Sequence, residues 1–211
     1  MKTAFPYQLY LVLSEQSCTH HHYLHVAEQA ILGGVDIVQL REKNATTAEF
    51  IEKALRLQDV LSKHHVPLII NDHLEVAQQV NAHGIHVGNK DMRPSYIRSV
   101  WKECKSIGYS IEYLEQVQND EAKQADCLGI SPVYHSTTKT DTIQQWGLEG
   151  IRKIRALTDK PLIAIGNMSD TNAYEVIKAG ADCIAVVSAI CGSQNPKKAA
   201  IDIKNQIQKA I

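Results

Sequence analysis

The chain has 211 residues, 44% of them hydrophobic and 21% charged, and a formal net charge of −1. This balance suits a soluble protein folded as one domain over residues 1–211, gives no electrostatic pull toward nucleic acid, and leaves no apolar run near the roughly 20 residues that span a bilayer. Five cysteines, an odd number with no CxxC, argue against a disulfide framework or a structural zinc site, and the short apolar run near the start fits a strand better than a signal sequence, so the expected location is the cytoplasm.

Tyr7–Leu13 reads as a first strand, followed by a helix over about His22–Leu32 that Gly33-Gly34 stops. Asp36–Leu40 is a second strand. Thr46-x-x-Glu49 forms a capping box for a helix whose stripe is Phe50, Ala54, Leu57 and Leu61. Leu68–Ile70 and Ile85–Val87 are strands around a short helix, about His73–Gln79. Pro94 opens a helix to about Glu103. Ser106–Ser110 is a weaker strand, Tyr113–Lys123 a helix, and Asp126–Ile130 a strand in which Cys127 packs as a small hydrophobe. A polar connection, Ser131–Gly147, leads to a helix over Leu148–Leu157. Pro161–Ile165 is a strand; Ser169 or Asp170 caps the helix after it, and Gly180 ends that helix. Asp182–Val187, which contains Cys183, is the eighth strand, and Pro196–Ala210 the last helix.

Eight strands alternate with eight helices, which predicts parallel strands with right-handed crossovers. The segments Ala30–Val38 and Ile177–Ala185 echo each other as "helix, glycine, small residue, Asp, apolar strand". The fold class expected is α/β, a closed (β/α)8 TIM barrel. An open doubly wound sheet is the alternative, but it usually needs fewer units, and no G-x-G-x-x-G follows the first strand.

A barrel of this kind carries its site where the strands end. Those positions hold Gln39, Arg41 and Lys43; Asn71 and Asp72; His86 and Asp91; Ser110; Ser136-Thr137-Thr138-Lys139; Gly166-Asn167; and Val187-Ser188. Two carboxylates, several cations and many hydroxyls suit a divalent cation with phosphorylated ligands. Gly166 and Ser188 are placed to hold a phosphate through backbone amides. Each aspartate also has a plain alternative, as the cap of the helix after it. His20, His21, His22 and His25 cluster without a clean metal partner set, and Trp101 and Trp146 read as packing residues.

In order along the chain, Val38-Gln39-Leu40-Arg41-Glu42-Lys43, Ile70-Asn71-Asp72, Gly84-Ile85-His86-Val87-Gly88-Asn89-Lys90-Asp91, Ser136-Thr137-Thr138-Lys139, Ala164-Ile165-Gly166 and Ile184–Ile190 resemble the thiamine phosphate synthase family over nearly the whole chain. The resemblance implies a transferase of thiamine biosynthesis. Such an enzyme joins hydroxymethylpyrimidine pyrophosphate to thiazole phosphate or its carboxylate, with pyrophosphate leaving first in a dissociative step. It further implies that Gln39, Leu40, Arg41, Glu42, Lys43, Asn71, Ser110 and Lys139 form the pyrimidine pyrophosphate site, with Arg41, Ser110 and Lys139 acting in catalysis. Asp72 and Asp91 are implied as Mg²⁺ ligands, and Ser136, Thr137, Thr138, Gly166, Val187 and Ser188 as the thiazole phosphate site. Small phosphorylated substrates are the expected partners, without nucleic acid or membrane, and a homodimer is left open.

The chain departs from the family's pattern at Asn89, where Gln is usual, at Asn167, where a second Gly is usual, and at His135-Ser136, where Pro-Thr is usual. A related thiazole tautomerase shares the barrel but tends to have a His two residues after the Ser110 position, where this chain has Glu112. A non-catalytic phosphate-binding regulator is the rival from another class; intact Asp72, Asp91 and Lys139 weigh against it.

Overall fold

In the computed structural model, residues 5–135 and 145–211 are described. Eight parallel strands, β1 (Leu9–Leu13), β2 (Ile37–Leu40), β3 (Leu68–Asn71), β4 (Gly84–Val87), β5 (Ser106–Ile111), β6 (Cys127–Ile130), β7 (Leu162–Ile165) and β8 (Cys183–Val186), pair in sequence order, and β1 closes on β8. The expected (β/α)8 barrel is therefore the fold. The helices are α1 (Tyr23–Leu32), α2 (Thr47–Ser62), α3 (Leu74–Gln79), α4 (Pro94–Val100), α5 (Asp120–Gln124), α6 (Gly147–Leu157), α7 (Ala173–Lys178), α8 (Ser188–Cys191) and α9 (Pro196–Ala210).

Side-chain alternation divides the core in two. Leu9, Leu11 and Leu13 of β1 pack outward against the helices, whereas Tyr10 and Val12 face the barrel axis with Ile37, Ile69, Ile163, Ala185, Cys127 and Cys183. The two cysteines behave as small hydrophobes, and burial pushes the Cys127 thiol up to about 12. The capping box at Thr46 forms as the sequence predicts, with the Thr46 N–H donating to Glu49 at 2.7 Å. His22 of the histidine cluster caps α1, its Nδ1 accepting from the Leu24 amide at 3.3 Å.

The joint that recurs in the sequence has a structural purpose at the barrel's N-terminal end. Asp36 accepts from the amides of Gln8 and Leu9 and pairs with Lys204 at 2.6 Å. Asp182 accepts from the Leu162 amide and pairs with Arg155, each at 2.8 Å. Asp126, before β6, does the same with the Ile107 amide and Arg98. Each aspartate thus precedes one strand and satisfies an amide at or beside the start of its neighbour.

Three helices differ from expectation. The helix from Pro94 stops at Val100, because Trp101 leaves helical geometry to bury its indole. Tyr113–Lys123 is not one helix. A 3₁₀ turn over Leu114–Gln118 is followed by α5, and Asn119 divides them by capping α5 with an acceptor 2.7 Å from the Ala122 amide. α7 begins only at Ala173: Ser169 caps the turn before it, its Oγ accepting from the Thr171 amide at 3.3 Å, and Asn172 turns its side chain backward, accepting from the Ser169 amide and donating to the Asn167 carbonyl at 2.9 Å.

Candidate active site

A cavity of about 340 Å³ opens at the C-terminal ends of the strands. Gln39, Arg41, Lys43, Asn71, Asp72, Asp91, Ser110, Gly166, Val187 and Ser188 all line it. Ser136, Thr137, Thr138 and Lys139 lie outside the described residues. Leu40 and Glu42 do not line the cavity. Period-two alternation turns them away from the axis: Leu40 packs under the helices, and Glu42 pairs with Lys53 at 3.1 Å.

The end of β3 is bent sharply. The His73 amide donates to the Asn71 carbonyl at 2.7 Å, closing a three-residue turn on Asp72, whose φ is +61°. A non-glycine residue in this turn is strained, and such strain gathers where side chains must be aimed. His73 holds the cap position of α3 without a side-chain bond to the helix, and Arg93 does so for α4. Asp91 instead accepts from the Gly88 amide at 2.8 Å, bracing the turn after β4. Neither aspartate is a helix cap, which settles the plainer alternative for both.

Asp72 and Asp91 come within hydrogen-bonding contact. Burial, then the Asp91 charge and their shared hydrogen bond, push the Asp72 carboxyl up to about 6, against smaller opposing effects of Asn71 and Lys43. Among the described residues neither aspartate makes an ion pair, and no three His, Cys, Asp or Glu side chains gather as a metal cage. Two converging carboxylates whose mutual repulsion a cation would relieve fit Mg²⁺, which keeps several waters and takes further oxygens from a phosphorylated ligand.

His86 of β4 reaches over the adjoining strands β5 and β6. Glycine is required where its ring passes: a Cβ on Gly108 would fall 2.4 Å from Nδ1, and one on Gly129 3.0 Å from Cε1. The ring's Nε2 sits 2.9 Å from Ser110 Oγ, fixing the hydroxyl at the cavity wall. Gln39 is anchored too, its amide donating to the Tyr10 hydroxyl at 3.0 Å. Arg41 and Lys43 line the cavity and make no ion pair among the described residues. Gly166 (φ +114°) and Asn167 (φ +53°) turn the chain after β7, and a Cβ at Gly166 would meet Pro132 at 2.6 Å.

Sequence reasoning missed Ser14 and Ser17, which line the cavity from the turn after β1 and touch through their hydroxyls at 2.6 Å. The rule applied to the other strands, reading the residues just past the strand end, would have found Ser14.

A family model described as "Thiamine monophosphate synthase" matches residues 9–190. The thiamine-phosphate synthase of Albidiferax ferrireducens is 44% identical over 201 residues, covering 95% of this chain and 91% of that one. That of Leptospira biflexa is 42% identical over 202 residues, covering 94% and 96%. The solved structure of a thiamine phosphate pyrophosphorylase from Pyrococcus furiosus superposes with a TM-score of 0.87 at 30% identity, covering 97% of this chain and 96% of that one. With the closed barrel and the strand-end cavity in place, these likenesses identify the chain as a member of the thiamine monophosphate synthase family, an enzyme of the transferase type that serves thiamine biosynthesis.

Proposed function

We propose that the cavity joins hydroxymethylpyrimidine pyrophosphate to thiazole phosphate or its carboxylate, releasing pyrophosphate and thiamine phosphate, and CO₂ from the carboxylate. The observation that carries this reading is the gathering of paired carboxylates, Arg41, Lys43 and the Gly166 turn around one cavity. Asp72 and Asp91 would hold Mg²⁺. When bound, the cation would stabilise the charge that grows on the departing pyrophosphate.

The chain's own residues supply the rest. Arg41 and Lys43 bind pyrophosphate oxygens, Arg41 with a planar fork and Lys43 as a point charge. Ser110, held by His86, and Gln39, held by Tyr10, orient the pyrimidine. The methylene–oxygen bond breaks, leaving positive charge on the pyrimidine methylene, and the thiazole nitrogen attacks it. That nitrogen carries no proton, so no strong general base is needed. The Gly166 turn, Val187 and Ser188 bind the thiazole phosphate, and Ser136, Thr137, Thr138 and Lys139 add hydroxyls and one positive charge.

Incubation with both substrates and Mg²⁺ tests this. Thiamine phosphate and pyrophosphate are expected in equal amounts, and EDTA should stop their formation. Binding of both substrates without pyrophosphate release would overturn the reading.

A further inference from the structure

Beside the cavity, two thiols meet across different segments. Cys18 ends the 3₁₀ turn over Glu15–Ser17, and Cys191 ends α8. The chain stays extended through Ser14 (φ −137°, ψ 152°), so the carbonyls of Val12 and Ser14 point the same way, two residues apart. Each carries one thiol: Cys18 Sγ lies 3.4 Å from the Ser14 oxygen and Cys191 Sγ 3.7 Å from the Val12 oxygen. The two thiols also lie close enough that each is the largest influence on the other's titration. The following residues are neighbours as well, since a Cβ on Gly192 would lie 3.9 Å from Thr19 Oγ1.

We propose that Cys18 and Cys191 form a redox modification site, closing into a reversible disulfide that ties the turn after β1 to α8 and lowers turnover. Cys18 is partly exposed, whereas Cys191 is fully buried. The neighbouring Cys191 thiol holds the Cys18 thiol below its ordinary range. Cys104, Cys127 and Cys183 are all raised by burial instead. Cys18 is thus the attacking sulfur and Cys191 the resolving one.

With a hydroperoxide as oxidant the chemistry balances. The Cys18 thiolate attacks the terminal peroxide oxygen; the O–O bond breaks, and the leaving oxygen takes up a proton as water or alcohol. The resulting sulfenic acid is attacked by the Cys191 sulfur. The S–O bond breaks, and a water leaves carrying the Cys191 proton. Two thiols are oxidised by two electrons and the peroxide is reduced by two. A thiol reductant reverses the bond by exchange.

The bond reaches the cavity through short levers. Ser17 immediately precedes Cys18, and Ser188 lies one turn before Cys191, whose amide donates to the Val187 carbonyl at 2.9 Å. Shortening a sulfur contact to the ~2.0 Å of a disulfide draws these two rims together.

The formation of the bond is independent of what the cavity does, while its effect on turnover rests on the proposed synthase reading. Treat the reduced protein with stoichiometric hydrogen peroxide, block free thiols and map peptides. The expected result is a Cys18–Cys191 cross-linked peptide, free thiols under denaturing conditions falling from five to three (5 − 2), and turnover reduced about fivefold and restored by dithiothreitol. Cys18→Ser, the milder change because Cys18 is partly exposed, is expected to form no such peptide and to keep its turnover in peroxide. Sulfinic acid on Cys18, or links only between molecules, would overturn the bond. Turnover unchanged with the bond formed would overturn its control of the site. A reduced protein that makes no thiamine phosphate counts against the synthase reading, and the cross-linked peptide still decides the bond.

Discussion

At the N-terminal end of the barrel, Asp36, Asp126 and Asp182 each sit between a backbone amide and a cation. At the C-terminal end, Asp72 and Asp91 sit against each other. The residue type is the same, and so is its place at a strand–helix junction. At one end these three carboxylate charges are matched, so the junctions stabilise the closed ring. At the other the two carboxylates face each other without an ion pair among the described residues, at a cost to the fold.

The largest effect should come from removing the unmatched pair. Asp72→Ala and Asp91→Ala are each expected to lower turnover by about 100-fold or more, the scale of a lost transition-state electrostatic contact, while circular dichroism stays native. Full turnover in the double variant would sink the metal assignment. The matched end should respond in the opposite way. Asp182→Ala removes the partner of Arg155 and of the Leu162 amide. We expect a loss of about 2 kcal/mol, or roughly 4–8 °C in melting temperature, with turnover per folded molecule unchanged. A smaller loss in Asp182→Asn would assign part of the effect to charge.

The third prediction has a sign that separates the two ends. The Asp72 carboxyl sits at about 6 in the folded chain, above its ordinary value of 3.8. The folded state therefore holds that proton more tightly than the unfolded one, and ionising it costs stability. The cost is full above about pH 6 and gone below about pH 4. Asp72→Asn should thus stabilise the metal-free protein at neutral pH by on the order of 1–2 kcal/mol after solvent screening, about 2–8 °C, while turnover is lost. The gain should fade as the pH falls from 6 to 4. A gain independent of pH would mean that something other than charge is responsible.

Much of this contrast was legible in the sequence. The "glycine, small residue, Asp" joints before β2 and β8 mark the matched end, although the third copy before β6 lacks the glycine and was not recognised as one. Strand ends mark the other face, because the closed topology brings eight separated segments to one rim. Alternation was underused: it admits Gln39, Arg41 and Lys43 to the cavity and turns Leu40 and Glu42 away. Whether Asp72 caps a helix was beyond sequence patterns, because the answer lies in a backbone angle of +61° that no spacing encodes. The division at Asn119 was hidden for a related reason. An Asn in a helical stretch can be an interior residue or a cap, and local packing decides between them.

The pairing of β1 with β8 also bears on how the chain is made. One edge of β1 finds its partner once β2 follows, but the other waits for Cys183–Val186. At ordinary rates of synthesis, about 5–20 residues per second, a nascent chain spends roughly 10–40 s with that edge bare. During that interval the barrel is an open sheet whose two edges are competent to pair with other chains. Ring closure is therefore a late, long-range event, set by the ribosome's pace as much as by the chain's own search.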